Sequence, residues 1–169
     1  MFFLKMIILI LIFTTSALIG MLLSKKYVNR VKELRDFKNA LNMFSTKIKF
    51  TYEPIPSIFL EISEKITGNI GKIFQTAAEY MTETTADIAW KKALDTVYTN
   101  MKTTDIDTIM GLGRLLGTTD VEGQLSEIKL VDEFLNKQLE DAEFEKRKNE
   151  KMYRTLGLIS GLTITILLI

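Results

Sequence analysis

Apolar residues follow three different patterns along this chain, and each predicts a different kind of helix. Met6 to Leu23 is apolar on all sides, 18 residues without a charge. At about 1.5 Å per residue such a helix spans roughly 27 Å, close to the hydrocarbon thickness of a bilayer. From Lys25 to about Thr51 the pattern changes to one residue in three or four: Val28, Val31, Leu34, Phe37, Leu41, Phe44 and Ile48. That spacing defines one face of a long helix continuing from the apolar stretch. Tyr52-Glu53-Pro54-Ile55-Pro56 should end it, because a residue before proline leaves the helical region.

Shorter amphipathic segments follow. Ser57 is the expected N-cap of a helix bearing Ile58, Ile62 and Ile66. Thr67-Gly68-Asn69-Ile70-Gly71 breaks the chain before a third helix with Ile70, Ile73, Phe74, Ala77 and Met81. Thr84-Thr85 precedes a fourth with Ile88, Trp90, Leu94, Val97 and Met101. Thr103-Thr104-Asp105-Ile106-Asp107 has the character of a capping box, with acids in the first turn. The fifth helix carries Ile106, Ile109, Leu112, Leu115 and Leu116, and Gly117 suits its C-terminal cap. Thr119 or Asp120 caps a sixth, with Leu125, Ile128, Val131, Leu135, Leu139 and Ala142. No window alternates as a strand. Six one-sided helices must bury their faces against each other, so the expected fold is all-α, an antiparallel bundle with Trp90 and the phenylalanines in its core.

The C-terminus is again apolar. Leu156 to Ile169 has 14 uncharged residues, and counted from Met152 the stretch reaches 18, with Arg154 able to snorkel. The expectation is an N-terminal transmembrane segment over 1–24, a helical domain over 25–151 and a short C-terminal membrane segment over 152–169. A cleaved signal peptide competes for the first segment, but its n-region holds only Lys5 and the cleavage-like site at Thr15 and Ala17 is poor.

Charge then sets the orientation. Lys25, Lys26, Arg30, Lys32 and Arg35 follow the first apolar stretch, and Lys146, Arg147, Lys148, Lys151 and Arg154 precede the second. Under the positive-inside rule both flanks face the cytoplasm. Residues 36–145 hold 11 basic and 19 acidic residues, a net −8. The domain between the basic flanks therefore has a surface that would attract a basic partner. The basic collar also supports an alternative reading, a helical protein bound to anionic lipid. Ser16 with Gly20, and Gly157 with Gly161, place small residues four apart, as helices that pack closely in membranes require. The spacing leaves open whether the pairing is within one chain or in a homo-oligomer.

Composition narrows the chemistry. The chain of 169 residues has 22 Lys and Arg against 21 Asp and Glu, with no surplus of positive charge for general nucleic-acid binding. With no histidine and no cysteine, thiolate nucleophiles, Cys/His zinc sites and His acid–base catalysis are excluded. Gly111, Gly113 and Gly117 do not have phosphate-loop spacing. The acids around Asp105 and Glu140 have no histidine to complete a di-iron-type site. No cofactor, metal or catalytic residue is expected.

Three stretches together resemble the stage III sporulation protein AB family of endospore-forming bacteria. They are Leu41 to Leu60 with Tyr52-Glu53-Pro54-Ile55-Pro56, the run from Leu112 through Leu116-Gly117-Thr118-Thr119-Asp120 to Gln124, and the tail Lys151 to Gly161. The resemblance covers the whole chain. It implies a soluble domain similar to the helical F-domain of type II secretion platforms. It also implies a place in a secretion-like channel between mother cell and forespore, with a cytoplasmic secretion-type ATPase and membrane-embedded subunits as partners. The chain would then lie in the mother-cell side membrane around the forespore, with its domain in the cytoplasm. The shared motif falls on Gly113, Gly117, Asp120 and Gln124, either as a partner surface or as a helix junction.

Overall fold

The structure is a computed structural model that describes residues 2–168 apart from 52, 114, 115 and 117–119. It is all-helical: α1 (Phe2–Phe50), α2 (Ile55–Lys65), α3 (Asn69–Tyr80), α4 (Ala86–Thr96), α5 (Thr103–Gly113) and α6 (Val121–Leu168), with no strand among the described residues. Both terminal helices are uninterrupted, so each apolar end and its amphipathic stretch belong to one helix, of 49 and 48 residues. Proline-free sequence over both ranges leaves their hydrogen-bond ladders intact. The chain divides into two compact units, Met1–Val31 with Asp141–Ile169, and Lys32–Glu140.

The Lys32–Glu140 unit is the bundle. Consecutive helices α2, α3, α4 and α5 pack on their neighbours, and the inner stretches of α1 and α6 complete it. Its centre is aromatic. Phe59 lies 4.9 Å from Phe74, 5.2 Å from Phe44 and 5.5 Å from Trp90, ring centre to ring centre, and Phe37 touches both Phe74 and Trp90. All five rings are fully buried. Edge-to-face and tilted arrangements of this kind add to the area they remove from water. The indole N–H of Trp90 donates to the Ile109 carbonyl at 3.0 Å, so the one polar atom of that side chain is satisfied inside the core.

Helix boundaries differ from the expected ones at the start of α2 and the end of α4. Ser57 does not cap α2. Pro54 occupies that position with extended backbone, and Pro56 sits in the first turn. Proline's fixed φ fits that turn, and its missing N–H is one the helix cannot use there, so the helix starts earlier. α4 ends at Thr96, which leaves Val97 and Met101 outside it, and Ile88 is exposed. The buried face of α4 is instead Ala89, Trp90, Ala93 and Leu94. Thr85 precedes α4 without capping its backbone, because its hydroxyl is hydrogen-bonded to the Asp87 carboxylate. Between α2 and α3, Gly68 has φ +86, and a Cβ on Gly71 would overlap the carbonyl oxygen of Ile66. That turn therefore needs glycine at both positions.

Candidate functional site

In the unit of Met1–Val31 and Asp141–Ile169, two helix stretches run antiparallel at close range. A Cβ built on Gly20 would lie 2.7 Å from the carbonyl oxygen of Tyr153 and 2.9 Å from the Cα of Gly157. The reverse contact, from Gly157 to the Cα of Gly20, would be 2.8 Å. The Ser16 hydroxyl donates to the Gly157 carbonyl at 2.8 Å and lies 3.0 Å from the Ser160 hydroxyl. A Cβ on Gly161 would meet Ser16 and Phe13 at 3.1 and 3.2 Å. The four small residues thus form one seam within one chain, where backbones meet and hydroxyls bond across. Further along, Tyr27 and Tyr153 stack with ring centres 5.8 Å apart.

α1 contains an 18-residue window of mean hydropathy 2.6, only 11% of it buried. Among the described residues it is the one helix long and apolar enough to cross a membrane.

The basic flanks do not behave uniformly. Arg30 is 5% exposed and forms an ion pair with Glu145 at 2.9 Å. It is a structural tie more than a surface cation, because a buried guanidinium needs its carboxylate partner. Lys25, Lys26, Arg147, Lys148, Lys151 and Arg154 are exposed, and Lys146 is half-buried. Arg147 and Arg154 lie 4.0 and 3.8 Å from Glu143 and Glu150, one helical turn earlier. Lys32 is also exposed, in the bundle unit.

Within the bundle, the motif residues hold helix ends. Gly113 closes α5 against the indole: a Cβ there would lie 2.6 Å from Trp90 Cδ1. The Asp120 carboxylate accepts the Gly123 N–H at 3.0 Å, the N-cap interaction of α6, and the Gln124 N–H donates to the Asp120 carbonyl at 3.0 Å. Gly117 lies outside the described residues. At α5 the fully buried Asp105 accepts the Lys102 N–H at 2.8 Å, which is half of a capping box.

Sequence pattern gave no sign of Glu33 as a hub. It is 6% exposed and accepts from Asn69 Nδ2 at 2.7 Å, from Asn100 N–H at 2.6 Å and from Asn100 Nδ2 at 2.9 Å. Both asparagines are distant in sequence, so no local spacing could have revealed the cluster. Nearby on α1, burial pushes the Asp36 carboxyl up, with Lys32 opposing and Glu33 reinforcing the shift. Further along α1, Lys47 hydrogen-bonds Glu61, which also takes Lys65 at 2.6 Å; these contacts hold the Glu61 carboxyl below the usual carboxylate range.

These features define a helical domain with an apolar N-terminal rod and a tight membrane-type helix seam. The family model described as Stage III sporulation protein AB matches residues 5–169, and the chain belongs to that family. It is 26% identical over 153 residues to Stage III sporulation protein AB of Bacillus subtilis (strain 168), covering 88% of this chain and 90% of that one. A solved structure of a Stage III sporulation protein AB shares the fold with a TM-score of 0.64 at 22% identity, covering 71% of this chain and 98% of its own.

Proposed function

We propose that the protein is a membrane-anchored adaptor of a secretion-like channel between mother cell and forespore, docking a cytoplasmic secretion-type ATPase to membrane-embedded subunits. The observation that carries this reading is the family match over residues 5–169 together with an apolar N-terminal rod that is left almost wholly uncovered. In this reading both termini lie in the membrane, Met152 to Ile169 as a short second span. The bundle then faces the cytoplasm of the mother cell. The Gly20–Gly157 seam supports two antiparallel membrane helices, because close backbone approach is what drives association in lipid.

The test has two parts. Deletion should block sporulation, and the tagged chain should copurify with an ATPase and inner-membrane proteins. A deletion strain that sporulates normally removes the proposal. For topology, the chain has no native cysteine, so a cysteine introduced at position 120 reports alone. Labelling of that cysteine by an impermeant reagent in intact cells reverses the orientation.

A lipid-surface role is the second reading, favoured by the exposure of Lys25, Lys26, Lys148 and Lys151. It requires salt-sensitive binding of residues 24–155 to anionic vesicles, and salt-insensitive or absent binding removes it.

A further inference from the structure

A shallow groove runs between α5 and α6 in the bundle unit, about 320 Å³ in volume, lined by Asp107, Thr108, Glu127, Leu130, Val131 and Phe134. Leu130 and Phe134, one turn apart on α6, are 46% and 50% exposed. Single exposed apolar side chains are ordinary on a protein surface. Two adjacent ones in a concavity, with carboxylates at its edge, match the anatomy of an interaction site: an apolar centre with a polar rim. The walls are fixed before anything binds. Val131 is buried beneath the groove, and Gln138 Nε2 on α6 donates to the Thr104 carbonyl at 3.0 Å and to the Thr108 hydroxyl at 2.8 Å on α5. A preformed groove avoids part of the ordering cost of binding.

We infer that this groove binds an amphipathic segment of another protein, one that places large apolar side chains over Leu130 and Phe134 and lysine or arginine beside Asp107 and Glu127. The choice of occupant follows from charge. Both ionisable residues of the lining are carboxylates, and residues 36–145 carry a net −8. A second copy docking the same face would bring acid against acid, and an anionic lipid headgroup would be repelled in the same way. A basic, amphipathic segment gains from both the apolar floor and the acidic rim. The inference rests on the adaptor reading and adds to it the surface and the chemistry of one partner.

The experiment replaces Phe134 with a photo-crosslinking phenylalanine analogue in the full-length chain, in the sporulating host, and maps the adducts by mass spectrometry. A parallel chain carries the analogue at Ile88 on α4, exposed to a similar degree. The expected result is an adduct from position 134 to a protein segment with apolar and basic residues in helical alternation. Its yield should fall about tenfold when Asp107→Asn and Glu127→Gln remove the rim charge. An adduct to lipid, to a second copy or to a segment without basic residues overturns the inference, as does a yield indifferent to the rim charges. Protein adducts at 88 with none at 134 overturn the groove and leave the adaptor reading standing. Protein adducts at neither position overturn the groove, and copurification of partners with the same chain decides the adaptor reading separately. Leu130→Ala and Phe134→Ala, each half exposed and so tolerated by the fold, should each reduce recovery of the same partner by about thirtyfold, the range of an interface hot spot.

Discussion

Replacing Gly113 by alanine adds one methyl group at the point where α5 meets the only tryptophan of the chain. The new Cβ would sit 2.6 Å from Trp90 Cδ1, 3.1 Å from Cγ and 3.2 Å from the Trp90 Cβ. These atoms are not the flexible end of a side chain. The indole is held by its hydrogen bond to Ile109 and by the rings of Phe37, Phe59 and Phe74, so it cannot step aside without disturbing the whole aromatic centre. Overpacking of this kind costs about 1–3 kcal/mol. Alanine's better helix propensity returns at most about 0.5–1 kcal/mol, and less at the last residue of a helix. The net expectation is a loss of about 1–2 kcal/mol, or roughly 2–8 °C in Tm for a chain of this size. Gly111 supplies the control, since a Cβ there meets nothing within 4 Å. Gly111→Ala should leave Tm unchanged or raise it slightly. Both variants can be melted as full-length chains in detergent, followed by circular dichroism and by emission of Trp90, which reports on the aromatic centre around this contact. Equal stability of the two variants would refute the packing role of Gly113. Loss of partner copurification in a fully stable Gly113→Ala chain would move that residue to a binding surface.

Three further outcomes follow from other parts of the molecule. Glu33→Gln should lower the urea midpoint by an amount equivalent to about 2–4 kcal/mol, because it replaces a charged acceptor of three hydrogen bonds by an amide that sets donor against donor; an unchanged midpoint would mean the cluster is not formed. Ser16→Cys with Ser160→Cys should form a disulfide within one chain under mild oxidation, since the two hydroxyls are 3.0 Å apart, and Gly157→Leu should abolish it; covalent dimers in its place would put the seam between copies. Glu61 has a folded pKa depressed by Lys47 first and then Lys65, so its ionised form adds stability above the unfolded carboxylate value. That contribution is lost as pH falls through the folded value, so Glu61→Gln should flatten the stability loss below about pH 4.5, the ordinary Glu value, and an acid limb identical to that of the parent chain would exclude it.

Periodicity made the bundle legible because most core positions lie on one face of their own helix. Val31, Leu34, Phe37, Leu41 and Phe44 on α1, and Ile70, Ile73, Phe74 and Ala77 on α3, are buried as their spacing requires. Errors arose where a local signal met a competing local or tertiary one. Ser57 is a good capping residue, but the two prolines that precede it preset the first turn before it. Ile88 fits an apolar stripe, yet α4 turns its small residues inward to admit Trp90. Arg30 reads as one of a row of surface cations, and only the tertiary fold gives it Glu145. Glu33, Asn69 and Asn100 come from three separate segments, and nothing in the neighbourhood of any one of them marks the cluster.

The most conspicuous motif residues turn their chemistry inward, and this bears on where a partner can dock. Gly113 presents a missing side chain to Trp90, and the Asp120 carboxylate already accepts the backbone N–H of Gly123. Changing either would alter the fold before it altered a surface, so loss of function in such a variant would not locate an interface. Residues able to report on docking are those whose removal leaves the core intact. Phe134 and Leu130 meet that condition, being half exposed, and Asp107 and Glu127 set the charge that a partner would meet beside them. A docking scan should therefore begin at the α5–α6 groove, with the motif glycine and aspartate kept as stability controls. If partner recovery tracked Tm across both sets of variants, the fold alone would account for the effects, and the groove would have no separate role.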